Sequence, residues 1–218
     1  MKKGIMIKRT QGCPQQAADI PALLDKERVE WIPMSEHNWA DRYPYKPAVS
    51  FRMAHCGDAL LLHFRVEEDC IRALAERNNG RTWEDSCCEL FILPDNGNVY
   101  YNIECNCTGS LRIGCGEKRP NREHATTEVL ESIDRWSSLG VDTIPLQEGA
   151  FQWELALLMP AAAFFRSNIS SFNGLHAHLN LYKCGDLLSR PHYLSWMPVG
   201  TPDPDFHQPP FFGEARFE

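Results

Sequence analysis

The sequence predicts an all-β fold: a two-sheet antiparallel β-sandwich of jelly-roll type with one or two short helices. Short runs of alternating character recur from Ala48 onward, and clusters of Gly, Pro, Asn and Asp separate them. No βαβ rhythm appears between the runs, which disfavours a parallel, doubly wound sheet.

Residues 1–45 carry few strand signals beyond 28–32 and are expected to wrap the sandwich as an N-terminal arm. The whole chain, residues 1–218, reads as one domain, because sandwiches of this length often remain undivided. The first regular strand is expected at 48–55. Leu60, Leu62, Phe64 and Val66 then alternate with Leu61, His63 and Arg65, the period of a strand with one apolar face. Residues 68–77 space Ile71, Leu74 and Ala75 as a helix would and predict about two helical turns. Strands follow at 86–93, 99–106 and 110–115. Phe151, Trp153, Leu155, Leu157 and Met159 alternate with Gln152, Glu154 and Ala156, and Pro160 introduces one helical turn at 161–166. Strands at 175–183, 192–196 and 211–217 close the chain.

Composition narrows the partners. A net charge of −7 with both signs interspersed lacks the basic field that draws proteins to phosphate backbones, so nucleic acid is not expected. No stretch approaches the ~18 apolar residues of a membrane span. The start contains Lys2, Lys3, Lys8 and Arg9 but no secretory apolar region, and the nine cysteines are odd in number. Mostly reduced, buried thiols and a cytoplasmic location are therefore expected, or an extracellular or periplasmic one if the true start lies upstream. Aromatic residues make up 11% of the chain, enough for stacking as well as for a core.

Two strands and a loop carry the chemistry. In TWEDSCCELFIL, residues 82–93, Glu89 falls on the face opposite Cys88, Leu90 and Ile92. A carboxylate in a strand needs solvent, a cation or a ligand hydroxyl, and Arg65 is a candidate salt-bridge partner. The next strand places Tyr100, Asn102, Glu104 and Asn106 on one face. Fixed amides and acids of this kind, beside aromatic planes, suit rings of sugar hydroxyls. The Pro-rich tail SWMPVGTPDPDFHQPPFFGEARF then holds Phe206 and His207 in a stiff loop. Cys105-x-Cys107, Cys87-Cys88 and His176-x-His178 lack the paired spacing of structural zinc sites. Competing readings are a glycosidase using two of Glu84, Asp85, Glu89 and Glu104, and a protein-interaction sandwich with a flat apolar patch.

In their order, TWEDSCCELFIL, YYNIECNCTG and PDFHQPPFFGEARF resemble the landmarks of family 9 carbohydrate-binding modules and their DOMON-like relatives, over roughly residues 31–218. The resemblance implies non-catalytic binding of a mono- or oligosaccharide, or a polysaccharide chain end, in polysaccharide utilisation. It implies that Trp83 forms one wall of a sugar slot with Glu89 beside it, and that Phe206 takes the place of the second aromatic wall. Asn102 stands where the family commonly has Arg, which reduces the positive charge. Asp203 matches a polar contact residue, and Asn180 and Tyr182 lie on the preceding strand. Structural calcium is common in the family, and no acidic run fixes a place for it here.

Overall fold

The computed structural model describes residues 4–95 and 97–218; Met1, Lys2 and Lys3 of the basic start lie outside them. From the N-terminus come β1 (Gly4–Arg9), the helix α1 (Ile20–Lys26), the two-residue strands β2 (Ile32–Pro33) and β3 (Glu36–His37), and the hairpin of β4 (Ala48–His55) and β5 (Ala59–Ala73). A meander follows: β6 (Cys87–Pro94), β7 (Tyr100–Asn106), β8 (Leu111–Gly116) and β9 (Glu123–His124). The short helix α2 (Thr127–Glu131) and β10 (Asp134–Ser137) lead into β11 (Ile144–Pro160), and β12 (His176–Cys184), β13 (Tyr193–Ser195) and β14 (Gly213–Phe217) complete the chain.

Hydrogen bonds link the strands in the order β10-β11-β5-β4-β1-β14-β12-β6-β7-β8-β9, one curled sheet whose two halves face each other. The seam is β1: Gly4–Ile7 pair with β14 and Lys8 and Arg9 with β4, both in parallel. The sandwich is therefore mixed rather than purely antiparallel, because a strand from the N-terminal segment enters between two strands that run its own way.

Alternation decides what faces inward. Leu60, Leu62, Phe64 and Val66 of β5 and Trp153, Leu155 and Leu157 of β11 share one core with Cys88, Leu90 and Ile92 of β6, Ile103 of β7 and Leu179 and Leu181 of β12. At roughly 1.5–3 kcal/mol for each fully buried large apolar side chain, this layer supplies most of the driving force for folding. The same inward rows carry one charged pair. Glu68 of β5 and Lys183 of β12 meet across the layers at 2.8 Å, both side chains fully buried. Trp153 donates its indole N–H to Glu68 at 2.8 Å.

Residues 68–77 are not helical. β5 continues through Ala73 because β11 extends back to Ile144 and pairs with it, so a tertiary partner overrides the helical spacing. The helices lie elsewhere. α1 starts with Pro21 in its first turn and buries Ile20 and Leu24 against the outer face of β5 and β11. α2 is capped by Thr126, whose hydroxyl accepts from the Val129 N–H. The turn after Pro160 is a 3-10 turn over Ala161–Ala163, and the strand expected at 28–32 shortens to β2. Seven of the nine cysteines are free and buried, as expected of mostly reduced thiols, while Cys13 and Cys56 are joined in a disulfide.

Candidate functional site

On the outer face of the β12-β6-β7-β8 sheet lies a second apolar cluster. Phe91, Tyr100, Tyr182, Phe206 and Phe212 pack there with Trp39, Trp83 and Tyr193. It exists because 196–212, rich in proline, folds back over the sheet instead of pairing with it. Between this cluster and residues 119–124 opens a cleft of about 540 Å³, lined among others by Trp83, Glu89, Asn102, Glu104, Arg112 and Phe206.

Trp83 is set by its neighbours. Thr82–Glu84 form a 3-10 turn, and Asp85 behind it is fully buried. The Asp85 carboxylate accepts from Arg72 at 2.5 Å, from the Leu74 and Ala75 N–H groups at 3.0 and 2.8 Å, and from Asn106 at 2.9 Å. These bonds tie the turn to the end of β5 and leave the half-buried Trp83 ring facing the cleft, with the Arg112 guanidinium 5.0 Å from its centre. On the other side Phe206 stacks on Tyr182 at 4.1 Å, and the Tyr182 hydroxyl donates to the Phe206 carbonyl.

Two acids share the floor. Glu89 and Glu104 are cross-strand partners on β6 and β7, 3% and 5% exposed. Glu104 accepts from Asn102 Nδ2 at 2.6 Å and from the Thr82 hydroxyl at 3.2 Å. Among the described residues, Glu89 Oε1 accepts from the Cys184 thiol, at 3.0 Å. Burial, and then the charge of Glu104, push the Glu89 carboxyl well above the usual range. Glu104 is also raised by burial, against the hydrogen bond from Asn102 and the charge of Arg112.

Two arginines reach the floor, from β8 and from the residue before β9. Glu104 and Arg112 are cross-strand partners on β7 and β8. Arg112 donates to the Asn79 carbonyl and meets His124, while Arg122 donates to Asn102 Oδ1 at 2.7 Å and to the Tyr100 carbonyl at 2.7 Å. A Cβ at position 114 would sit 2.6 Å from Asn102 Oδ1, so Gly114 makes the room in which Asn102 meets Arg122. His207 accepts or donates at 2.9 Å to the Tyr100 hydroxyl, and burial lowers its pKa to about 3.

Of the seven residues expected at the site, Trp83, Glu89, Asn102 and Phe206 line the cleft together. Tyr182 lies beneath Phe206 as its support. Asn180 is buried in a structural role, bonded to the N–H and carbonyl of Met197. Asp203 points away: its side chain is 82% exposed and pairs with Arg42 at 2.9 Å. Asp205 lines the cleft in its stead, held by the His207 N–H and Gln208. Arg65 pairs with Glu154 rather than Glu89. Arg112, Arg119, Arg122 and Asp186 were not anticipated; only Arg112 had a legible signal, since it alternates with Leu111 and Ile113 beyond the turn after Cys107. Among the described residues, the clusters able to share an ion are Cys13, Cys56 and Asp58, and Cys87, Glu89 and Cys184. Both sets include thiol sulfur, whereas calcium takes oxygen ligands, so neither cluster assigns a place to calcium.

The family model for carbohydrate-binding family 9 matches residues 18–217, and the chain belongs to that family of binding modules. It is similar to a "putative carbohydrate-binding protein" from Bacteroides uniformis, at 43% identity over 100% of both chains with a TM-score of 0.96. Two family 9 modules from Caldicellulosiruptor kristjanssonii, one in complex with glucose and one with cellotriose, align at TM-scores of 0.62 and 0.59. Each is 12% identical; the alignments cover 99% of this chain and 96% and 94% of theirs, so the likeness is one of fold. No curated protein matches the chain.

Proposed function

We propose that this chain binds a mono- or oligosaccharide, or the end of a polysaccharide chain, in the cleft between Trp83 and Phe206 without cleaving it, as part of carbohydrate utilisation. One observation carries the reading: Glu89, a buried carboxyl with a single thiol donor, opens into a cleft with aromatic walls. Such a group is costly inside a fold and gains its missing hydrogen bonds when a hydroxyl arrives. Trp83 and the edge of Phe206 meet the C–H faces of a sugar ring, Glu89 and Asp205 accept from its hydroxyls, and Arg112 donates to its oxygens. Hydrolysis needs two carboxyl groups free to act on one bond. Of the four acids the sequence offered for hydrolysis, Asp85 is consumed by the Trp83 turn, Glu84 pairs with Arg81, and both oxygens of Glu104 are engaged by Asn102 and Thr82, which leaves Glu89 of that set.

A glycan array scored together with release of reducing sugar separates the two outcomes. Binding to glucose-type ligands with no new reducing ends is expected. Turnover on any array member would establish an enzyme instead, and an empty array would remove the saccharide reading.

A further inference from the structure

We propose that Cys87, Glu89 and Cys184 form a three-ligand site for a thiophilic divalent cation of the zinc class at the floor of the cleft. The register of the strands builds it. Cys87 of β6 stands opposite Cys184 of β12, and Glu89 lies two residues further along the same face of β6. Directly opposed residues of an antiparallel pair bring their Cβ atoms to about 4.5–5.5 Å. The ligand atoms of all three lie within 4.8 Å of one another, and Cys184 Sγ is 3.0 Å from Glu89 Oε1. Zinc bonds of ~2.3 Å to sulfur and ~2.0–2.2 Å to oxygen put tetrahedral ligands roughly 3.5–3.8 Å apart. Seating an ion therefore asks for side-chain shifts on the order of 1 Å.

The chemistry of the cluster agrees with its shape. All three groups are acids, all three are buried, and none bonds a basic side chain. The nearby buried cation, Lys183, points to the other side of β12 and is committed to Glu68. An entering ion replaces three protons, which pass to solvent, as two sulfur–metal bonds and one oxygen–metal bond form; no electrons are transferred. Cys184 and Glu89 line the cleft while Cys87 lies behind them. The fourth position thus faces the cleft, where water or a sugar hydroxyl completes a tetrahedron, the arrangement of an open rather than a closed zinc site. Sequence spacing conceals the site because its two thiols come from distant strands. This inference does not depend on the saccharide reading.

The test is a cobalt titration of the full chain under argon with a phosphine reductant, followed by displacement with zinc. One equivalent of Co²⁺ should produce a thiolate-to-cobalt band and tetrahedral visible bands. They should persist in C13S/C56S, which removes the other thiol-bearing cluster among the described residues, and vanish in C184S. In E89Q the thiolate band should remain while cobalt affinity falls roughly tenfold or more. This arm keeps the test decisive where C184S fails to fold. No thiolate band in the wild type, a band lost in C13S/C56S, or unchanged affinity in E89Q overturns the site. Saccharide affinity measured in EDTA is a separate readout, so the metal site and the saccharide reading fail independently.

Discussion

Glu68 and Glu89 are both strand carboxyls shut away from solvent, and the two faces of β12 treat them differently. Glu68 looks into the sandwich, where Lys183 and the indole of Trp153 meet it at 2.8 Å each. Glu89 looks outward, where β12 offers it only the thiol of Cys184. One carboxyl is held by a buried cation and an indole; the other meets a thiol. An incompletely satisfied buried acid asks for an explanation, and under the proposed function the contrast is that of a structural clamp with a binding floor.

Substitutions that exchange these conditions test the contrast. The largest effect is expected at the clamp: Lys183→Met leaves Glu68 buried without its cation, and urea denaturation should show a loss of about 3–5 kcal/mol. Combining it with Glu68→Gln should recover much of that loss. A single substitution with no measurable cost would show that the pair is not a clamp.

Glu89→Gln is expected to act in the other direction on stability. An amide in that place avoids the cost of a buried carboxyl, so the melting temperature should hold or rise, by the equivalent of about 1 kcal/mol. Saccharide affinity should fall in the same variant by about 0.5–1.5 kcal/mol, the worth of a hydrogen bond to a neutral group. A drop in both would place Glu89 with Glu68 as a structural acid.

A further effect, spread over several pH units, appears on acidification. His63, in the scaffold, is held down to a pKa of about 4 by burial and then by Arg52, and His207, at the site, to about 3. Arg52 Nε donates to His63 Nδ1 at 3.1 Å, so the ring proton sits on Nε2, facing Glu154. As pH falls below ~6.5 the unfolded chain takes up protons that these folded rings refuse until about pH 4 and 3, so stability falls across that window. Each ring contributes at most ~1.4 kcal/mol per pH unit. Glu89 and Glu104, raised by burial, act with the opposite sign, so the readout is the difference between wild type and His63→Gln. Equal slopes would contradict the buried neutral ring.

Much of this was legible beforehand for a physical reason. The regular strands show a period of two, and β4 matches its expected bounds at 48–55. Residues 68–77 misled because a strand that pairs with a long partner needs no favourable local pattern, and Glu68 there is tolerated only by a lysine from a distant strand. At the site, Trp83 and Glu89 stood out through the turn and the strand face. Arg122 and Asp186 did not, since loops bring them in and no period marks a loop residue that returns to a sheet. Asp203 and Asp205 show the same limit: two acids in one Pro-rich loop, of which only the backbone path selects the one that faces the cleft.

The central claim, that the cleft of Glu89 is a saccharide floor walled by Trp83, is tested most directly by calorimetry with glucose and cellotriose on the wild type and Trp83→Ala. Removing the aromatic wall should forfeit ~1–3 kcal/mol and weaken binding roughly tenfold or more. Heats that are absent in the wild type, or identical in the two proteins, would contradict the assignment.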